Sequence, residues 1–213
     1  MGSELYGKEY GEIQSRDLAK EYLEVLNKKF TDVKGEKVLE LGVGTGSLMP
    51  FLMEKFGEGH VFGVDINGWL LRNSGKVKES EGGIEGKIEQ LPVASGSIDR
   101  VVSLHTFEHS RDLRAALNEL ERVLVPDGEA LIIVPRPQFG IKELGALFDT
   151  LKLYPGFDNL IKAWKMAGEY HVQNVTPKKI SEAETDLVIA ESETMFIPSE
   201  WGSVWVVTLK KGK

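Results

Sequence analysis

The stretch "VLELGVGTGSL", Val38 to Leu48, constrains this chain more than any other. A short apolar run meets glycines at every second position, Gly42, Gly44 and Gly46, and a helix-compatible sequence follows. Glycine costs conformational entropy, so its repeated use at a strand-to-helix junction needs a reason. Without a Cβ, the backbone admits a ligand or a helix at close range. Such a loop also offers free N–H groups and the positive end of a helix dipole. A nucleotide-like ligand at the carboxyl end of a sheet is the natural occupant.

Around this loop the chain alternates strand and helix signals. Ser15 to Phe30 has Leu18, Tyr22, Leu23, Val25 and Leu26 at helical spacing, with Ser15 as its N-cap. Lys37 to Leu41 reads as a strand, and Ser47 to Phe56 as a helix with Pro50 in its first turn. "HVFGVDI" is a second strand ending at Asp65, and a helix runs from about Asn67 to Asn73. A polar, glycine-rich loop leads to a short strand near Ile84 to Ile88. Ile98 to His105 is a fourth strand. Arg111 to Leu124 is an amphipathic helix with Leu113, Leu117, Leu120 and Leu124 on one face. "PDG" is turn chemistry, and "EALIIVP" is a fifth strand apolar enough to be buried on both faces.

This order predicts βαβ units and a mainly parallel sheet. It breaks at Arg136 to Ile180, a stretch of aromatic and helical character. Two strand-like runs follow, Asp186 to Glu193 and Ser203 to Lys210, and the short join between them predicts an antiparallel pair.

Asp65, at the end of the second strand, is placed to accept hydrogen bonds from both hydroxyls of a ribose. A dinucleotide fold wants G-x-G-x-x-G, but the position for its third glycine is Ser47 and the spacing here is G-x-G-x-G. Glu40 inside the first strand would repel a phosphate and attract an amine or a sulfonium. A zwitterionic, cationic ligand therefore suits the loop better than NAD.

Four motifs, in order, resemble those of the class I S-adenosylmethionine-dependent methyltransferases. They are "VLELGVGTGSL", "VFGVDIN", "GKIEQLPVASGSIDRVVSLHTFEH" and "ELERVLVPDGEALIIVP", spanning Lys34 to Pro135. The resemblance implies a Rossmann-like three-layer αβα sandwich. Its seven-stranded, mostly parallel sheet would end in an antiparallel hairpin, consistent with the two late runs. It implies S-adenosylmethionine as methyl donor, S-adenosylhomocysteine as product, and in-line displacement onto a small-molecule acceptor. On this chain, Gly42, Gly44 and Gly46 would pass the methionine part and Glu40 would lie near its amino group. Asp65 would hold the ribose, with Ile66 against the adenine and Glu89, Gln90 and Leu91 on its other side. His105 would lie under the sulfonium. One departure stands out: Lys87 occupies the place of an acid that accepts a bond from the adenine amino group, and Ile88 replaces an alanine.

His105 and His109 are the candidate proton-transfer residues, since histidine titrates near neutral pH. Their H-x-x-E-H spacing at a strand end is not the H-E-x-x-H helix of a metal site, so no metal is expected. Methyl transfer can also proceed without a base when the acceptor is held in line.

The whole chain, 1–213, reads as one methyltransferase domain with an N-terminal helical segment, 1–30. Residues 136–180 form an insertion that can cap the substrate, with Phe139, Tyr170 and His171 as candidate substrate contacts. Seven basic against four acidic residues there suit an anionic or aromatic small molecule, or simply a solvated helix face. Tyr6 and Tyr10 belong either to a lid over the cofactor or to a frayed terminus.

Three alternatives remain: a non-catalytic binding protein of the same fold, an RNA or protein methylase, and an NAD-dependent dehydrogenase. A net charge of −7 argues against a nucleic-acid partner. Cysteine is absent, which removes disulfides and thiolate chemistry. With neither a basic-then-apolar leader nor an apolar run of about 18 residues, the expectation is a cytoplasmic protein without a membrane partner.

Overall fold

The computed structural model describes residues 18–73, 82–136, 172–198 and 202–212. Its strands are β1 Val38–Leu41, β2 Val61–Asp65, β3 Gly83–Glu85, β4 Ile98–Leu104, β5 Leu124–Arg136, β6 Leu187–Ile197 and β7 Gly202–Lys211. The helices are α1 Lys20–Lys29, α2 Met49–Phe56, α3 Gly68–Asn73, α4 Leu113–Val123 and α5 Pro177–Ser181, with a 3₁₀ turn at Phe107–His109. The seven strands form one sheet in the order β3-β2-β1-β4-β5-β7-β6. Strands β1 to β5 pair in parallel, and β7 runs antiparallel to both β5 and β6. The order reverses between β1 and β4, which opens a crevice at their carboxyl ends.

Alternation along the strands builds a core on each face. Leu39, Leu41, Val101, Ile132, Val134 and Leu209 pack with Ala116, Leu117 and Leu120 of α4 and Ile180 of α5. Val38, Val102, Leu131, Ile133 and Val206 pack on the other face with Tyr22, Leu26 and Phe30 of α1 and Met49, Leu52 and Phe56 of α2. Two-residue periodicity therefore puts Glu40 on the face of Val38, toward α1 and α2. Each fully buried leucine contributes about 1.5–3 kcal/mol, and the parallel strands need both cores because neither face can meet water.

Local signals fix the joints. Asp112 Oδ1 accepts from Ala115 N–H at 3.0 Å and starts α4. Lys211 Nζ donates to the carbonyls of Glu121 and Leu124, tying β7 to the end of that helix. The turn in "PDG" sits inside β5: Asp127 has φ 62°, and the pairing jumps from Ile98–Leu124 to Arg100–Glu129.

Several boundaries differ from the sequence reading: α2 starts at Met49 and α4 at Leu113, each two residues late, and β6 runs four residues further, to Ile197. α1 starts at Lys20 with Ala19 before it and no side-chain cap, while Ser15 lies outside the described residues. Leu124 opens β5 instead of closing α4, and is buried all the same. β3 stops at Glu85, and Ile88 lies in a tight turn closed by a Lys87–Gln90 bridge, because the chain must bend there to bury Ile88 and Leu91. The expected cap falls mostly in 137–171, outside the described residues.

Candidate functional site

The loops after β1, β2 and β4 meet at the crevice where the strand order reverses. After β1 the chain turns through Gly42, Gly44 and Gly46, all at positive φ (78°, 54° and 73°). The first two glycines have different reasons. A Cβ on Gly42 would lie 2.0 Å from Thr106 Oγ1, so this glycine admits a protein side chain. A Cβ on Gly44 would meet nothing within 4 Å, so the space beside it is open to a ligand. Gly44 N–H instead donates to Asp65 Oδ2 at 2.8 Å, which ties the loop to the end of β2.

Asp65 is 8% exposed, and its Oδ1 accepts from Asn67 N–H at 2.7 Å. Burial raises its pKa, against the lowering effect of the bonds from Asn67 and Gly44. Each carboxylate oxygen has a second lone pair, so both can accept another hydrogen bond. Asn67 Oδ1 accepts from Trp69 and Leu70 N–H and starts α3. Beside these, Ile66 is 65% exposed, an apolar side chain left at the mouth of the crevice.

Glu40 is 4% exposed, and its Oε2 has no hydrogen-bond partner. Loss of water raises its pKa well above the ordinary value, and the negative charge of Asp65 raises it further. A buried carboxylate in this condition is a cost of folding unless something cationic is bound.

On the far side of the crevice the three residues expected around an adenine do not converge. Glu89 Oε1 accepts from Ser110 Oγ at 2.7 Å and Arg111 N–H at 3.0 Å, so its carboxylate serves the entry to α4. Leu91 is buried in the core, and its N–H donates to Glu119 Oε2 at 2.6 Å. Gln90 is exposed, as is Lys87.

His105 follows β4 at φ 52°, a conformation that costs a residue with a Cβ about 1–2 kcal/mol. Its N–H donates to Ile133 O at 2.9 Å, which holds the strained residue against β5. The Tyr22 hydroxyl lies 2.6 Å from Nε2, and Glu108 Oε1 lies 3.5 Å from Nδ1. His109 ends the 3₁₀ turn, half-buried, with its N–H donating to Thr106 O at 3.0 Å. Tyr22 was legible only as one apolar member of a helix face, and Glu108 only as part of a metal-like spacing. Tyr22 meets His105 across 83 residues of chain, whereas Glu108 lies only three residues beyond it. Phe139, Tyr170, His171, Tyr6 and Tyr10 lie outside the described residues.

Among the described residues no group of three His, Asp or Glu is placed to hold a metal ion. No helix among them is long and apolar enough to cross a membrane.

Residues 39–132 match the family model described as a methyltransferase domain, Methyltransf_11. An uncharacterized methyltransferase of Bacillus subtilis, YdaC, is 27% identical over 46% of this chain and 56% of its own length. The demethylmenaquinone methyltransferase of Thermus thermophilus is 30% identical over 50% of this chain and 52% of its own length. The chain thus spans little more than half the length of these curated relatives. Among solved structures, geranyl diphosphate C-methyltransferase of Streptomyces coelicolor has a similar fold, with a TM-score of 0.64 at 12% identity. That match covers 90% of this chain and 76% of the other, whose structure holds S-adenosyl-L-homocysteine.

Proposed function

We infer, for a chain that belongs to the class I S-adenosylmethionine-dependent methyltransferases, that it transfers a methyl group from S-adenosylmethionine to a small-molecule acceptor. The observation that carries this reading is Glu40. A carboxylate 4% exposed, with an oxygen that bonds nothing, suits a ligand that brings an ammonium group. The donor set beside it suits the rest of the same molecule. Asp65 offers lone pairs to two ribose hydroxyls, Gly44 leaves room for the amino-acid chain, and Ile66 offers an apolar face to the adenine. Leu91 backs the adenine side from the core, and with Lys87 in the acid's place a backbone carbonyl of the same turn would accept from the adenine amino group.

When bound, the cofactor supplies an electrophilic methyl carbon. The chain's own task is placement. The strand ends hold the ribose and the amino-acid group, and the loop after β4 faces the acceptor. In-line alignment of the acceptor's lone pair then supplies much of the rate. His105 and His109 are the groups there that can take up a proton. Phe139, Tyr170 and His171 are candidates for holding the acceptor. The same Glu40 charge disfavours the pyrophosphate of NAD.

The test is transfer of a labelled methyl group from S-adenosylmethionine to two acceptor probes, reduced demethylmenaquinone and sarcosine, with calorimetric titration of S-adenosylhomocysteine and NAD alongside. Label in an organic product, with saturable binding of S-adenosylhomocysteine and none of NAD, is the expected result. Saturable binding of NAD, or no binding of S-adenosylhomocysteine by folded protein, overturns the reading.

A further inference from the structure

Tyr22, His105 and Glu108 come from α1, the end of β4 and the 3₁₀ turn, and form one line of contacts. Glu108 is 2% exposed, and neither of its carboxylate oxygens has a hydrogen-bond partner. Its main-chain carbonyl, in contrast, accepts from the N–H groups of Val172 and Gln173 at 3.0 and 3.2 Å. The turn is therefore fastened where the chain returns toward α5, and the side chain is held under the imidazole. A buried carboxylate with no bonds is costly, and among the described residues the ring 3.5 Å away can offset this charge. His105 itself is held at positive φ, a strain that the fold tolerates at this one strand end.

We propose that Glu108 is a positioning residue that holds His105 as its Nδ1–H tautomer, so that Nε2 is the base for a methyl acceptor that must lose a proton. For its chemistry, though not for its geometry, this rests on the methyltransferase reading. A carboxylate only accepts, so the hydrogen facing Glu108 sits on Nδ1, and Nε2 keeps its lone pair. The Tyr22 hydroxyl then donates to Nε2 and has lone pairs of its own to accept with. Tyr22 is 1% exposed, whereas 27% of the His105 side chain is open, so the route to the hydroxyl runs along the imidazole.

The proton balance closes within these groups. As the bond from the acceptor atom to the methyl carbon forms, the sulfonium C–S bond breaks and its electron pair stays on sulfur. The acceptor's proton passes to the Tyr22 oxygen, directly or across one water, while the Tyr22 proton moves to Nε2. The imidazolium that results faces Glu108, which stabilises it as an opposite charge at short range. The acceptor class this serves is a hydroxyl or an acidic carbon, whereas an ammonium must first lose its proton by the same route before its lone pair can attack. A tertiary amine or a thioether has no proton to give.

The tautomer is read directly by nitrogen NMR of the full chain labelled at histidine. The chain has four histidines, and His105→Asn identifies the signals of interest. At neutral pH, Nδ1 carries the hydrogen and Nε2 does not. Glu108→Gln lowers the apparent pKa of His105 by about one unit, a tenfold change. Glu108→Asp, which keeps the charge, moves it less. Tyr22→Phe leaves the tautomer and displaces the Nε2 signal. An Nε2–H tautomer in the natural chain, or the same His105 titration in Glu108→Gln, overturns the proposal. In methyl transfer, Glu108→Gln lowers kcat at least tenfold with KM within twofold, and Glu108→Asp recovers most of the rate. Unchanged kcat overturns the base role. S-adenosylhomocysteine binding stays unchanged in Glu108→Gln and Glu108→Asp, so its absence in both and in the natural chain marks failure of the methyltransferase reading instead.

Discussion

The two ends of the central strands treat their charges in opposite ways. At the amino end, Arg100 of β4 donates to Glu36 at 2.6 Å and to Glu129 of β5, and Lys210 of β7 reaches the same Glu129 at 2.6 Å. Asp99 there accepts from Lys37 N–H at 2.8 Å. Every one of these charges has a partner. At the carboxyl end, Glu40 and Glu108 are buried deeper, yet three of their four carboxylate oxygens have no hydrogen bond. The fold pairs its charges by hydrogen bonds at one end and leaves these oxygens without them at the other. Glu108 has the His105 ring 3.5 Å away, while the bare oxygen of Glu40 is the costly feature that the proposed ammonium group would relieve.

The comparison can be broken from either end. The largest effect is expected from Asp65→Ala, which removes both carboxylate oxygens proposed to hold the ribose. S-adenosylhomocysteine affinity should fall at least 100-fold by calorimetry, about 3 kcal/mol at roughly 1.4 kcal/mol per decade. Next come the two glycines. Gly42→Ala drives a Cβ into Thr106 at a backbone of φ 78° and should cost about 2–4 kcal/mol in urea unfolding. Gly44→Ala meets open space and should cost only the backbone strain, about 1–2 kcal/mol, while weakening ligand binding. A smaller stability loss in Gly42→Ala than in Gly44→Ala would contradict the roles assigned to them.

Arg100→Met tests the paired end. It strands Glu36 and leaves Glu129 with Lys210 alone, but the arginine side chain is 24% exposed and water relieves part of the loss. About 1–2 kcal/mol of stability should go, with ligand affinity unchanged.

The smallest effect is the most diagnostic of the unpaired end. Glu40 binds its proton more tightly in the folded chain than its ordinary value of 4.5. The stability it contributes is thus fully present below that value and is lost as pH rises through the folded pKa. Without ligand, Glu40→Gln should therefore flatten the fall of Tm with rising pH and be about 1 kcal/mol more stable than the natural chain at pH 8. A Glu40→Gln protein less stable than the natural chain at that pH would mean the carboxylate is already paired.

Much of this was legible in the sequence because it is written in local pattern. The G-x-G-x-G loop, the acid ending "VFGVD" and the apolar run "ALIIV" each fix an element over a few residues, and they placed Glu40, the glycines and Asp65 together. The adenine side was less legible. Glu89 reads as a ligand-facing acid, yet Ser110 and Arg111, more than 20 residues away, claim its carboxylate. The contact of Tyr22 with His105 was illegible for the same reason. A helical tyrosine with apolar neighbours is indistinguishable from a core residue until the partner at its hydroxyl is known.

The proposed ammonium partner of the Glu40 oxygen can be tested by titrating two ligands into the natural chain and Glu40→Gln: S-adenosylhomocysteine, and 5′-methylthioadenosine, which has the same nucleoside but no amino-acid group. Glu40→Gln is expected to weaken S-adenosylhomocysteine about tenfold or more and to leave 5′-methylthioadenosine unchanged. Equal losses for the two ligands, or none for either, would contradict it.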